Sequence, residues 1–181
     1  GSKTTYLAQL VNNNSFITAC EIDKIRMERL KSNVVKLGAT CVNFLCTDSR
    51  RLDDFFRFDQ ILLDAPCSGS GTLSIYDKSM TKFSKALVYN SSKLQFELLK
   101  KALTILKPGS EMIYSTCSIL DIENEEVLNK ILKVSKCEII PFDEDIKKHL
   151  HLLPTKIDGT LCIKPDTYFE GFFVAKIRKK C

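Results

Sequence analysis

Two cysteines stand where a thiol could do chemistry. Cys67 ends the run Asp64-Ala-Pro-Cys67 and opens Cys67-Ser-Gly-Ser-Gly71, while Cys117 lies in Tyr114-Ser-Thr-Cys-Ser118, 50 positions further on. Pro66 fixes its own φ and restricts Ala65, and Gly69 and Gly71 allow the backbone to come close to a ligand. A thiol in such a loop becomes a nucleophile once it is ionised. Two thiols facing across one pocket suit a redox disulfide, or a reaction in which one thiolate attacks and another group later removes a proton. Spacing does not say which of the two attacks. A cysteine taken alone is more often a packing residue than a catalytic one, so it is the two together that point to chemistry.

Three acids close apolar runs: Glu21, Asp48 and Asp64. Carboxylates at strand ends hold ribose hydroxyls and amine donors, although the same residues also serve as helix caps. The chain has no G-x-x-x-x-G-K-[ST] loop, so the series points to a nucleoside ligand without phosphates to cradle. S-adenosylmethionine has that chemistry, and its sulfonium tolerates nearby carboxylates. No metal centre is expected. The 8 cysteines include no C-x-x-C pair, and the only two histidines, His149 and His151, stand apart from them. Cys20, Cys41, Cys137 and Cys162 sit in apolar runs and read as small hydrophobes.

The elements that must position these residues alternate. Apolar runs at Phe16–Ile22, Cys41–Leu45, Gln60–Asp64, Glu111–Thr116, Cys137–Ile140 and Phe172–Ile177 read as strands. Helical period runs through Thr4–Asn13 (Leu7, Leu10, Val11), Lys24–Leu37 (Ile25, Leu30, Val34, Leu37), Ser91–Leu106 and Ile122–Val134. Gly38 is placed to end the second helix and Pro108-Gly109 to stop the third. Ala65–Asn90 reads as a long irregular stretch. This alternation predicts an α/β fold with a mainly parallel sheet, whose ligand sits beyond the carboxyl ends of the strands.

With 181 residues, 44% hydrophobic and 27% charged, the chain has the composition of one globular domain, taken here as residues 1–181. No apolar run reaches the roughly 18 residues that span a bilayer, and the first residues resemble no leader, so no membrane partner is expected. The net charge of +5 is compatible with a nucleic-acid partner without requiring one. Oligomeric state leaves no signal.

The paired cysteine segments resemble the two motifs of the Nop/Sun-type RNA cytosine-5 methyltransferases. Gly1-Ser-Lys-Thr is similar to the tail of that family's cofactor loop, Ala19-Cys-Glu-Ile-Asp-Lys to the turn holding its ribose acid, and Leu120-Asp-Ile-Glu-Asn-Glu-Glu to the segment after its catalytic Thr-Cys. Glu170-Gly-Phe-Phe is similar to its closing Asp-Gly-Phe-Phe strand. The resemblance implies a class I (Rossmann-like) methyltransferase fold, S-adenosylmethionine as donor, and cytosine in ribosomal or transfer RNA as acceptor. It implies Cys117 as nucleophile, Cys67 assisting release, and Asp64 between base and cofactor. Gly1, Ser2 and Lys3 would line the cofactor turn, with Glu21 on the ribose and Asp48 on the adenine amino group. The place of work would be the nucleolus in a eukaryote and the cytoplasm otherwise.

Two other readings stay open: a non-catalytic nucleotide- or RNA-binding module, and a DNA cytosine-5 methyltransferase. Relative to the family pattern the chain begins at or after the loop's glycines. The expectation is therefore a catalytic core without its first strand and N-terminal RNA-binding region, with a gap in the sheet. Arg50, Arg51, Lys78, Lys82, Lys85, Lys147, Lys148 and Arg178 to Lys180 are candidate phosphate contacts, and Tyr76, Phe83 and Tyr89 candidate stacking residues.

Overall fold

Local chemistry sets the first elements. In the computed structural model, which describes residues 1–73 and 83–181, helix α1 (Ser2–Leu10) starts directly at Gly1. Thr5 Oγ1 donates to the carbonyls of Gly1 (3.2 Å) and Ser2 (3.0 Å). Strand β1 (Ile17–Cys20) leads to α2 (Lys24–Lys36), whose N-terminus is capped by Asp23, accepting from the Arg26 amide at 2.8 Å. Gly38, with φ +67°, ends α2 in the left-handed conformation its position predicts. Strand β2 (Val42–Leu45) pairs parallel with β1, Ile17 opposite Val42 and Cys20 opposite Leu45.

These elements form one of two compact units, Gly1–Asp53. Of the side chains the helical period selects, Val34 is buried, but most are not. Thr5 and Ala8 are buried on α1 while Leu10 and Val11 are exposed; Met27 and Val34 are buried on α2 while Ile25 and Leu37 are exposed. Small residues allow the close approach. A Cβ on Gly1 would lie 3.3 Å from Leu30 Cα and from Asn33 Cβ, so the start of α1 sits directly on α2.

The second unit, Asp54–Cys181, carries the larger sheet. Its strands are β3 (Phe58–Asp64), β4 (Leu106–Thr116), β5 (Cys137–Ile140), β6 (Leu152–Leu153), β7 (Leu161–Ile163) and β8 (Phe172–Lys179). β3 and β4 run parallel, with Asp64 opposite Ser115. β8 returns antiparallel on the other side of β4, and its far edge is shared by β5 and β7, with β6 beyond β7. The pairing of β3 with β4 shifts register between Phe58 and Gln60, so β4 absorbs Lys107–Ser110, including Gly109 at φ +76°, without ending.

Helix α3 (Lys85–Ile105) begins six residues before the periodic stretch, because Ser84 caps it by accepting from the Leu87 amide at 3.1 Å. Its buried face includes Ser91, Ser92 and Gln95, polar residues that hide the helical period. A 3-10 turn (Asp121–Glu123) precedes α4 (Glu125–Val134), and a single turn, α5 (Glu144–Lys147), follows β5. The core joins Leu99, Leu103 and Leu106 to Met112 and Tyr114 of β4, Val127, Leu128 and Ile131 of α4, and Phe173, Ala175 and Ile177 of β8. Tyr114 meets Phe173 edge to face, with centroids 6.4 Å apart. No helix among the described residues is long and apolar enough to cross a membrane.

Leu128 is fully buried on α4, whereas Val134 on the same helix is exposed. Leu128→Ala should cost about 2–5 kcal/mol through lost burial and a residual cavity. Val134→Ala should stay within about 0.5 kcal/mol. Urea unfolding of both variants checks the assignment, and equal losses would contradict it.

Candidate active site

Adjacent parallel strands carry the two cysteine segments out of the sheet side by side. β3 ends at Asp64 and β4 at Thr116, so the loops starting at Ala65 and Cys117 leave from neighbouring positions. They are then laced together. The Ala65 amide donates to the Ser115 carbonyl (2.9 Å), the Gly71 amide to the Cys117 carbonyl (2.9 Å), and the Gly171 amide to the Gly71 carbonyl (2.8 Å). Gly71 cannot be replaced without moving backbone: a Cβ there would lie 2.2 Å from the Gly171 oxygen. Gly171 is equally constrained, its Cβ position falling 2.6 Å from Ile119 Cγ2.

The result is that Cys67 Sγ and Cys117 Sγ lie 2.9 Å apart. Both are free thiols and half-buried. The two sulfurs share a hydrogen bond, and its electrostatics are unequal. Donation from Cys67 holds the Cys117 thiol down to about 7, against the opposing pull of burial and of the Asp64 and Glu123 charges. The same hydrogen bond, together with burial, pushes Cys67 far above the ordinary thiol value. Of the two thiols, Cys117 is therefore the one that ionises first. Asp64 stands at the edge of this pair, its Oδ1 accepting from Ser115 Oγ at 3.0 Å.

Beneath the thiols lies a polar group that sequence reasoning missed. Glu123 is 0% exposed, and its carboxylate accepts from the Ser68 amide (2.7 Å), from Ser68 Oγ (2.5 Å) and from Ser118 Oγ (2.6 Å). Because the Ser118 proton goes to Glu123, Ser70 donates in the 2.9 Å contact between Ser70 Oγ and Ser118 Oγ. Ser118 Oγ also accepts from the Leu120 amide. Asn124 completes the layer: Thr116 Oγ1 donates to its Oδ1 at 2.6 Å, and its Nδ2 donates to the Ser118 carbonyl at 2.9 Å. Gln95 of α3 donates to the Pro66 carbonyl at 2.8 Å. One signal for this layer is present in the chain, since a serine follows each cysteine.

The remaining predicted site residues belong to the first unit. Gly1 is the N-cap of α1, and Ser2 and Lys3 lie in its first turn. Glu21 directly follows β1; its carboxylate accepts from the Asp23 amide (2.9 Å) and pairs with Arg26 (3.1 Å). Asp48 follows β2 and caps a 3-10 turn (Ser49–Arg51), accepting from the Arg50 amide at 3.0 Å. The Arg50 guanidinium, 2.6 Å away, holds the Asp48 carboxyl below the usual carboxylate range. Both acids therefore also do the local capping work that strand-end carboxylates commonly do. Lys78, Lys82 and Tyr76 lie outside the described residues. No group of three or more metal-ligating side chains occurs among the described ones.

Comparison with known proteins gives this arrangement a place. The family model described as 16S rRNA methyltransferase RsmB/F matches residues 1–178. The chain belongs to this family. Among curated relatives, the Ribosomal RNA small subunit methyltransferase F of Vibrio campbellii is 35% identical over 184 residues, covering 99% of this chain and 38% of the relative. That of Aeromonas salmonicida is 33% identical over 192 residues, with the same coverage. The chain thus spans less than half the length of the curated relatives it matches.

Two solved structures from Pyrococcus horikoshii are similar to the chain. A methyltransferase homolog is 35% identical with a TM-score of 0.77, covering 99% of this chain and 58% of that one. The structure of NSun6 with SFG is 27% identical with a TM-score of 0.84, covering 99% and 45%. The fold is that of the α/β methyltransferases, and the resemblance carried by the cysteine motifs holds across the whole chain.

Iodoacetamide reactivity tests the sharing of the proton. In the full protein, alkylation of Cys117 should rise with pH about a midpoint near 7, with Cys67 unreactive over that range. In Cys67→Ala the Cys117 midpoint should climb toward the ordinary thiol value of about 8.5. Peptide mapping by mass spectrometry reads both, and faster labelling of Cys67 than of Cys117 at neutral pH would reverse the assignment.

Proposed function

We propose that the protein transfers a methyl group from S-adenosylmethionine to carbon 5 of a cytosine in RNA, through a covalent bond between Cys117 and the base. The observation that carries this reading is the thiol pair, 2.9 Å apart, whose shared hydrogen bond pulls the Cys117 thiol down and pushes the Cys67 thiol up. Carbon 5 of cytosine is too poor a nucleophile to be methylated directly. Addition of the Cys117 thiolate to carbon 6 forms a carbon–sulfur bond and turns the ring into an enamine, with electron density at carbon 5. S-adenosylmethionine, when bound, supplies the methyl group that carbon 5 takes up. A base then takes the proton from carbon 5, the electron pair of that C–H bond restores the ring double bond, and the carbon 6–sulfur bond breaks to release Cys117 as a thiolate. Cys67 helps that departure, because its S–H faces the sulfur that must leave and stabilises the emerging negative charge. Asp64, at the mouth of the same loop, is suited to orient the base through its amino group or ring nitrogen.

The cofactor assignment rests on the chemistry of the donors. Glu21 and Asp48 are carboxylates at successive strand ends, the groups that ribose hydroxyls and an adenine amino group require. Lys3 and the Gly1–Ser2 backbone complete the proposed contact set. The Pyrococcus relative solved with SFG, an S-adenosylmethionine analogue, supports the same reading.

Ribosomal RNA is the favoured substrate, since the curated relatives named above are ribosomal small-subunit methyltransferases. Those relatives are bacterial, and a cytoplasmic place of work follows from that reading. RNA phosphates would be met by basic residues. Several of these are already ion-paired, Lys147 to Glu144, Lys148 to Asp145 and Arg178 to Glu111; of these the Lys148 pair is exposed, and a pair of that kind is weak enough to exchange for phosphate.

Two experiments on the full protein test the proposal. Incubated with substrate RNA and S-adenosylmethionine at alkaline pH, where Cys117 is ionised in either background, Cys67→Ala should accumulate a denaturation-resistant protein–RNA adduct on a gel. Cys117→Ala should give neither adduct nor 5-methylcytosine by bisulfite sequencing. An adduct in Cys117→Ala and none in Cys67→Ala would exchange the two roles. For the cofactor, Glu21→Ala with Asp48→Ala should weaken S-adenosylmethionine binding at least about tenfold by calorimetry, the equivalent of roughly 1.4 kcal/mol. Unchanged binding would remove both residues from the site.

A further inference from the structure

We infer that Glu123 is a positioning residue that sets the spacing of the two thiols. Its carboxylate is the common acceptor for the residue that follows each of them. Cys67 is followed by Ser68 and Cys117 by Ser118, and both serines terminate on Glu123. Ser68 is held twice, by its amide and by its hydroxyl, so the peptide leaving Cys67 cannot rotate without losing a charge-assisted hydrogen bond. Ser118 is held through its hydroxyl, which Ser70 and the Leu120 amide lock from the other side. Glu123 is itself fixed, since its carbonyl accepts from the buried Tyr114 hydroxyl at 2.7 Å and its side chain has no solvent to move into.

The two loops leave different strands, and the backbone bonds that lace them reach Gly71, Gly171 and Ser115 rather than Ser68. The carboxylate is the tie immediately beneath both sulfurs. A glutamine at position 123 keeps the shape but replaces one acceptor oxygen with an NH2 donor. It cannot accept from both serines and the Ser68 amide together, so the serine hydroxyls must turn to accept from the NH2 group, the charge-assisted tie is lost and the thiols separate.

This inference rests on Cys117 and Cys67 being the reacting pair. Its test nevertheless needs neither RNA nor S-adenosylmethionine, so failure of the proposed activity and failure of the positioning role are told apart. In the full protein equilibrated with glutathione disulfide, the two thiols are oxidised to a Cys67–Cys117 disulfide as one glutathione disulfide is reduced to two glutathiones, with two protons changing hands. Peptide mapping by mass spectrometry gives the equilibrium constant. Glu123→Gln should lower it about tenfold or more, as expected when two thiols lose their preset proximity. The pH midpoint for alkylation of Cys117 should rise at the same time, because loss of the Cys67 donor, the largest influence on that thiol, outweighs removal of the smaller Glu123 charge effect.

Ser68→Ala with Ser118→Ala should reproduce both changes, and adding them to Glu123→Gln should bring no further loss. Glu125→Gln, which alters another buried carboxylate two positions on, should leave both readouts at the wild-type values. If Glu123→Gln fails to fold, the double serine variant decides alone. A wild-type equilibrium constant and pH midpoint in the folded Glu123 variant, or in the double serine variant where that one must decide, overturns the inference. So does an equal shift in Glu125→Gln, which would mean generic loosening.

Discussion

A carboxylate taken wholly out of water must be given donors, or its burial costs several kcal/mol. At Glu123 the need is met by a backbone amide and two serine hydroxyls drawn from loops about 50 residues apart. Everything at the head of the larger sheet follows from that demand. Ser68 and Ser118 must turn inward, so Cys67 and Cys117 project from adjacent positions above them. Ser70 and Asn124 then satisfy the groups that remain. Polar networks of this kind specify one arrangement because a partly satisfied version is worse than none.

The network needs a rigid floor, and β4 supplies it. It is paired on both sides, parallel with β3 and antiparallel with β8, and Met112, Tyr114 and Thr116 point alternately into the packed layer. Tyr114 serves two ends at once: its ring packs on Phe173 while its hydroxyl reaches the Glu123 carbonyl. The apolar core and the polar site are therefore joined through a single side chain. Cys117, one residue beyond the strand, inherits the positional precision of the sheet.

Much of this is legible in the chain because strand and helix periods are strict there. β3, β5 and α4 fall within a few residues of their predicted limits, β4 ends where predicted but begins at Leu106 and runs through Pro108-Gly109, and Asp64, Cys67 and Cys117 stand at the expected strand ends. What is not legible has a common cause. The buried face of α3 contains Ser91, Ser92 and Gln95, whose polarity conceals the period that would have placed the helix start at Lys85. The buried face of α1 uses Thr5 and Ala8 in place of the larger Leu10 and Val11 that the pattern selects, and on α2 the unbranched Met27 is buried while Ile25 and Leu37 are exposed. Glu123 is hidden for the opposite reason. An acid just ahead of an amphipathic helix reads as a solvated first-turn residue, and only the pairing of β3 with β4 brings two serines to it.

The contact between Gly71 and Gly171 has a consequence in time. The loop that carries Cys67 is closed on one side by a backbone amide a hundred residues later in the chain, at a separation too small for any side chain on either partner. Cys67 and Cys117 are both synthesised before Gly171. Until the last strand is synthesised and laid against β4, the cysteine loop lacks its wall. A chain that stops short of residue 171 carries both thiols with Glu123 beneath them, but without the wall that Gly171 builds against Gly71.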